Sequence, residues 1–98
     1  MEYKFDWDPV KAKQNLQKHG VSFERAARVF LDPFAISLFD EEHSENEDRW
    51  ITIGSEASEI FLVVAHTFRD IDANTAVIRV ISARKADKEE AHQYHERR

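Results

Sequence analysis

Between Trp7 and Pro33 the chain is punctuated so closely that a pair of short helices is the natural fit. Asp8-Pro9 opens the first helix. Aspartate is a good N-cap, and proline suits the first helical position, where its missing N–H would have no partner anyway. Gly20 closes that helix, because a helix end often needs a left-handed residue. Ser22 caps a second helix, with Val21 placed ahead of it to staple onto the first turn. Ala26, Ala27, Val29 and Phe30 give the second helix an apolar face. Asp32-Pro33 ends it, since the residue before proline is driven out of helical geometry. Ahead of this block, Tyr3, Phe5 and Trp7 alternate with charged residues, as in a half-buried strand.

From Phe34 the pattern changes. FAISLF, RWITIG, EIFLVVAHTF and TAVIRVIS are rich in Ile, Val, Phe and Thr and have strand length. Polar pieces separate them at 40–48, 55–58 and 69–74, which suggests an antiparallel meander. From Ala86 the chain returns to helix formers, DKEEAHQYHERR, with little apolar content. The order predicts an α+β fold: an N-terminal strand and two helices packed on one face of a twisted antiparallel sheet, with a largely solvated C-terminal helix. With 98 residues, this reads as a single domain spanning 1–98. Its core is small, so a protein partner would add stability.

No apolar run approaches the ~18–20 residues of a membrane span. MEYKFDWDP lacks the basic start and apolar stretch of a secretion signal. The absence of cysteine excludes disulfides and thiolate metal sites. A cytoplasmic protein with no membrane association fits these features. The net charge of −5 argues against a generic nucleic-acid binder. That charge is local, however: residues 40–48, DEEHSENED, hold six of the nineteen acids and no Lys or Arg. The stretch reads either as a solvated loop or as a contact for a basic partner or a guard over a basic site.

Several residues carry possible chemistry. Lys18 and His19 stand together at the first helix's C-terminus, whose partial negative charge favours an imidazolium suited to acid–base work. The structural alternative is that His19 only caps free carbonyls. Arg79 interrupts the apolar run VIRVI, where a charge is costly unless it is paired or faces a cleft. With Arg84 and Arg49 near strand ends, it would form a phosphate-binding concavity, or else pair with an acid such as Glu47 or Asp48. His66 interrupts FLVVAHTF with the parity of Leu62, Val64 and Phe68, as a core histidine or as a proton carrier near Arg79. Tyr94 reads as a surface residue able to stack on a base. His92 and His95 have metal-compatible spacing but no supporting ligands. With only Gly20 and Gly54, there is no glycine-rich phosphate loop. The chemistry expected is therefore acid–base and electrostatic, with neither cofactor nor metal.

Taken in order, the motifs resemble the BrnT toxins of the RelE/ParE-like group of type II toxin–antitoxin systems. The matching pieces begin with Trp7-Asp8-Pro9, Lys11-Ala12, Asn15, Lys18 through Glu24, and Ala27. They continue with Asp32-Pro33, His43-Ser44, Glu47, Arg49, Ile53-Gly54, Arg79 through Arg84, and Ala86. The resemblance implies a RelE-like fold and a metal-independent endoribonuclease that inhibits translation. A BrnA-like antitoxin would neutralise it in a hetero-oligomer and would carry any contact with operator DNA. RNA, free or presented on the ribosome, would be the substrate. In the implied mechanism a ribose 2′-hydroxyl attacks the adjacent phosphate. His19 or His66 would move protons, Arg49, Arg79 and Arg84 would hold phosphate, and Lys18 and Tyr94 would contact RNA. The competing reading is a non-catalytic interaction module acting with a DNA-binding partner in operon repression. It would show the arginines paired off, whereas a nuclease would leave them converging with a histidine.

Overall fold

The computed structural model describes residues 1–96. Arg97 and Arg98, the end of the expected terminal helix, lie outside the described residues. In chain order the elements are β1 (Glu2–Asp6), α1 (Pro9–His19), α2 (Phe23–Ala27), β2 (Ile36–Phe39), β3 (Trp50–Ala57), β4 (Ile60–Asp72), β5 (Thr75–Lys85) and α3 (Lys88–Glu96). A short 3-10 segment, Arg28–Leu31, follows α2 directly. The described residues form one five-stranded sheet in the order β1-β5-β4-β3-β2.

The helical block folds as its punctuation dictates. The Asp8 side chain accepts from the Val10 N–H, Pro9 opens α1, and Gly20 closes it at φ 69° with its N–H bonded to the Leu16 carbonyl. Ser22 caps α2 by accepting from the Arg25 N–H. The helices cross the sheet from β1 at one edge to β2 at the other, and three hairpin-linked strands return the chain to β5 beside β1. The short links force β2 to β5 to be antiparallel. No hairpin constrains β1, which runs parallel to β5. The sheet is thus mixed, which corrects the expected antiparallel sheet.

One face packs Leu62, Val64, Val80 and Ala83 against Val21, Phe23, Ala26 and Val29 of the helical layer. Gly54 sits under that layer, where an added Cβ would lie 2.6 Å from Val29 Cγ1. The opposite face is apolar at one end, through Ile53, Val63 and Phe61, and α3 covers it with Tyr94. This also corrects the expectation of a largely solvated C-terminal helix. The first face is already filled, so the apolar residues of the second require their own cover.

Asn15, buried in α1, joins the layers. Its amide donates to the carbonyls of Val21 (2.9 Å) and Ala83 (2.8 Å), and its Oδ1 accepts from the Ala83 N–H (3.1 Å). The pairing of β1 with β5 stops at Arg79. The Asn15 side chain therefore does for Ala83 what a neighbouring peptide group would do, and it also fixes the glycine corner. Asn15→Ala leaves these three buried backbone groups unpaired and is expected to cost about 3 kcal/mol or more in urea denaturation. The isosteric Asn15→Asp should cost at least as much, because a carboxylate cannot donate to two carbonyls; a neutral result would remove this role.

Candidate active site

Strand register determines which charged residues meet. Arg79 lies opposite Thr67, and Arg84 opposite Val63. Thr67 and Val63 are both odd-numbered on β4, so they share a face. Arg79 and Arg84 are five apart and would face opposite ways in a regular strand. Between Ala65 and His66 the register skips one residue of β5, and this bulge at Ile81 brings both arginines to the face away from α1 and α2. They remain roughly 13 Å apart along the sheet, four residues at ~3.3 Å each.

Arg79 lines a cleft of about 450 Å³ on the open part of that face, with Asp6, Glu47, Asp48, Thr67, Phe68, Arg69 and Val77. Its guanidinium donates to Asp6 at the end of β1. Arg69 also reaches the cleft and has no ion-pair partner among the described residues. The cleft therefore holds two guanidinium groups and three carboxylates. Arg69 escapes sequence reading because residues 69–74 read as a polar link, whereas β4 runs on to Asp72; Asp6 escapes it because its position is ordinary until β1 flanks β5.

Glu47 and Asp48 reach the cleft because the acidic segment is a tied loop. Asp40 N–H bonds to the Arg49 carbonyl across its base (2.9 Å). Ser44 Oγ donates to the Asp40 carbonyl and accepts from the Arg49 N–H (3.0 Å). His43 Nδ1 lies 2.9 Å from Asp40 Oδ2. Arg49 Nε is buried, 3.8 Å from Glu47 Oε1, with no hydrogen-bond partner among the described residues.

The other expected site residues lie elsewhere. Both Arg84 terminal nitrogens donate to Glu90 at 2.7 Å. This contact pushes the arginine up in pKa and holds the Glu90 carboxyl below its usual range. Glu90 also exchanges hydrogen bonds with Asp87, which caps α3. Arg84 therefore fastens α3 to β5. Tyr94 is buried against Phe61 and Tyr94 Oη donates to Asp32 at 2.7 Å, so its expected surface role in stacking on RNA is corrected. Lys18 and His19 end α1 in the helical layer, across the sheet from Arg79. His92 pairs with Glu96 on the same helix, and no group of three or more His, Asp or Glu among the described residues is placed to hold a metal.

His66 is buried on the helical face, edge-on to Phe30. Its Nδ1 lies 3.2 Å from the Thr67 carbonyl, which can only accept, so Nδ1 carries the proton. Nε2 is then the acceptor for Thr52 Oγ1 at 2.6 Å, and Thr52 in turn accepts from Ser37 at 2.8 Å. Burial pushes the pKa down, with the Thr67 contact partly opposing it. His66 is thus a neutral core residue separated from Arg79 by the sheet.

The family described as "Ribonuclease toxin, BrnT, of type II toxin-antitoxin system" matches residues 7–90. This chain belongs to the BrnT family. Among solved structures it is similar to the ribonuclease toxin BrnT of Brucella abortus, with 26% identity and a TM-score of 0.61 over 90% of this chain and 100% of that one. No curated protein sequence matches it. The family assignment makes this BrnT-family chain a ribonuclease toxin, which implies an antitoxin partner.

The titration of His66 has a measurable consequence. Folding lowers its pKa, so the unfolded chain binds the proton more readily. Stability from this site is full above the usual value of 6.5 and declines as pH falls below it. Glu56, lowered chiefly by its hydrogen bond from Arg25, and Glu90, lowered by Arg84, add a separate loss below 4.5. Denaturation midpoints measured against pH should show both steps, and His66→Gln should remove only the upper one.

Proposed function

We propose that this BrnT-family toxin cleaves RNA in the Arg69–Arg79 cleft by metal-independent attack of a ribose 2′-hydroxyl. The observation that carries this reading is the meeting of two arginines with the carboxylates of Glu47, Asp48 and Asp6 on the open sheet face. A carboxylate at Glu47 or Asp48 takes the 2′-hydroxyl proton. The 2′ oxygen bonds to phosphorus, the P–O5′ bond breaks, and the 5′ oxygen leaves with a proton from water. The products are a 2′,3′-cyclic phosphate and a 5′-hydroxyl. Arg69 and Arg79 hold the phosphate and offset the charge that develops on it, with phosphate displacing Asp6 from Arg79. His19 and His66 have no proton-transfer role in this reading, because neither belongs to the cleft. Lys18 and Arg84 lie away from the reacting phosphate, and Arg49 acts through Glu47.

In the same reading RNA cleavage inhibits translation in the cytoplasm, on free or ribosome-bound RNA. A BrnA-like antitoxin neutralises the toxin and carries the contact with operator DNA. Kinship with RelE-like toxins rests on the motif order and the helices packed against a sheet. Two observations favour the non-catalytic alternative: Arg49, Arg79 and Arg84 each have a carboxylate within 4.0 Å, and no histidine lines the Arg79 cleft.

Incubation with RNA in excess EDTA separates these readings. Cleavage should persist and leave 2′,3′-cyclic phosphate ends, detectable by mass spectrometry. Arg79→Ala and the double variant Glu47→Gln/Asp48→Asn should each slow it by roughly 10²-fold or more, while His19→Ala stays near wild type. Intact RNA with the wild-type protein would favour the interaction module. Loss of cleavage in EDTA would sink the metal-independent mechanism, and a fully active Arg79→Ala would move the site.

A further inference from the structure

The sheet's two edges are unequally protected. Natural edge strands are often guarded by lysine, proline or a bulge. β1 carries Lys4, whereas β2 reads Ile-Ser-Leu-Phe and has none of these guards. The hydrogen bond from Asp40 N–H to the Arg49 carbonyl fixes the phase of β2. By alternation, Ile36 and Leu38 turn their backbone groups toward β3, and Ser37 and Phe39 turn theirs outward. Those outward groups have no backbone partner among the described residues. Leu38 and Phe39 remain 39% and 43% exposed, and as neighbours in a strand they face opposite sides of the sheet.

We propose that the outer edge of β2 receives an extended strand of the antitoxin that bears lysine or arginine. This rests on membership of a toxin–antitoxin family and not on the RNA chemistry. An added strand would pair with the outward groups of Ser37 and Phe39, and apolar side chains at two adjacent positions would cover Leu38 on one face and Phe39 on the other. The charge of the occupant follows from the loop that begins at Asp40. Glu41, Glu42 and Glu45 have no cationic partner among the described residues. A strand entering here meets these carboxylates, which attract a cationic segment and repel nucleic acid. A second copy of this chain fits less well. Pairing two β2 edges would set two such loops at the ends of an edge only ~13 Å long, close to the reach of unscreened repulsion.

The test uses the full chain with a blocked nonapeptide that carries a central pair of valines between lysines, and with a counterpart in which glutamate replaces each lysine. The lysine peptide should bind, weaken with added salt, and slow amide hydrogen exchange at Ser37 and Phe39. The glutamate peptide should not bind. Ser37→Pro removes an outward N–H at a kind of edge position that proline tolerates. It should weaken binding by roughly tenfold or more, whereas Ser37→Ala, which loses the same hydroxyl contact to Thr52 but keeps the N–H, should bind as the parent chain does; both variants should still unfold in one cooperative step. The same two amides should be protected in the toxin–antitoxin complex. Equal binding of both peptides, binding of neither, or a complex in which these amides exchange as in the isolated toxin overturns the proposal, as does a dimer formed through this edge. These readouts do not depend on RNA cleavage, so a chain that leaves RNA intact sinks only the catalytic reading.

Discussion

Beyond Arg79 the outer side of β5 has no strand beside it, and the Asn15 amide takes the place of one. Its two donors and one acceptor meet Val21 and Ala83, which ties the glycine corner, the helical layer and the sheet together at one buried point. Buried backbone groups without partners are costly, so this contact holds the place of α1 over the sheet. It also lets β1 stop at Asp6, where that carboxylate meets Arg79. The cleft therefore inherits its β1 wall from a hydrogen-bond requirement on the other side of the fold.

The bulge in β5 has a comparable effect on the arginines. It turns Arg79 and Arg84 to one face, yet they do different work there. Arg84 is spent on Glu90 and the seating of α3, while Arg79 lies in an open cleft with Arg69. The acidic loop joins the two halves of the molecule's charge pattern. Its Glu47 and Asp48 end lines the cleft, and its Glu41, Glu42 and Glu45 stretch continues the line of the exposed β2 edge. One loop, held by Ser44, thus belongs to both the catalytic reading and the docking reading.

Much of the fold was legible because its signals are local. Asp8-Pro9, Gly20 and Ser22 place helix ends through their own backbone chemistry, and the apolar runs mark the strands. The direction of β1 was not legible, because a strand reached through helices can pair either way. The candidate site was legible only in part. Arg79 stood out as a charge in an apolar run, but Arg69 carried no such signal. His66 drew attention by the same logic as Arg79, yet a histidine can satisfy itself in a core through Thr52 and Thr67, and an arginine cannot do so as cheaply.

By itself the sequence determined the helix caps, the apolar centres of the strands, the acidic loop and the family, all of which depend on residues near one another or on motif order. It did not show that β3 runs on to Ala57 and β4 to Asp72, where polar links were expected, or that α2 gives way to a 3-10 segment at Arg28. Only the tertiary structure decided which charges share a surface. Side-chain facing in a strand has a period of two, so one extra residue at Ile81 reverses it for everything beyond. That single register step, together with the crossover that brings β1 beside β5, placed Arg79 with Asp6, Arg69 and the end of the acidic loop, with His19 and His66 on the other side of the sheet.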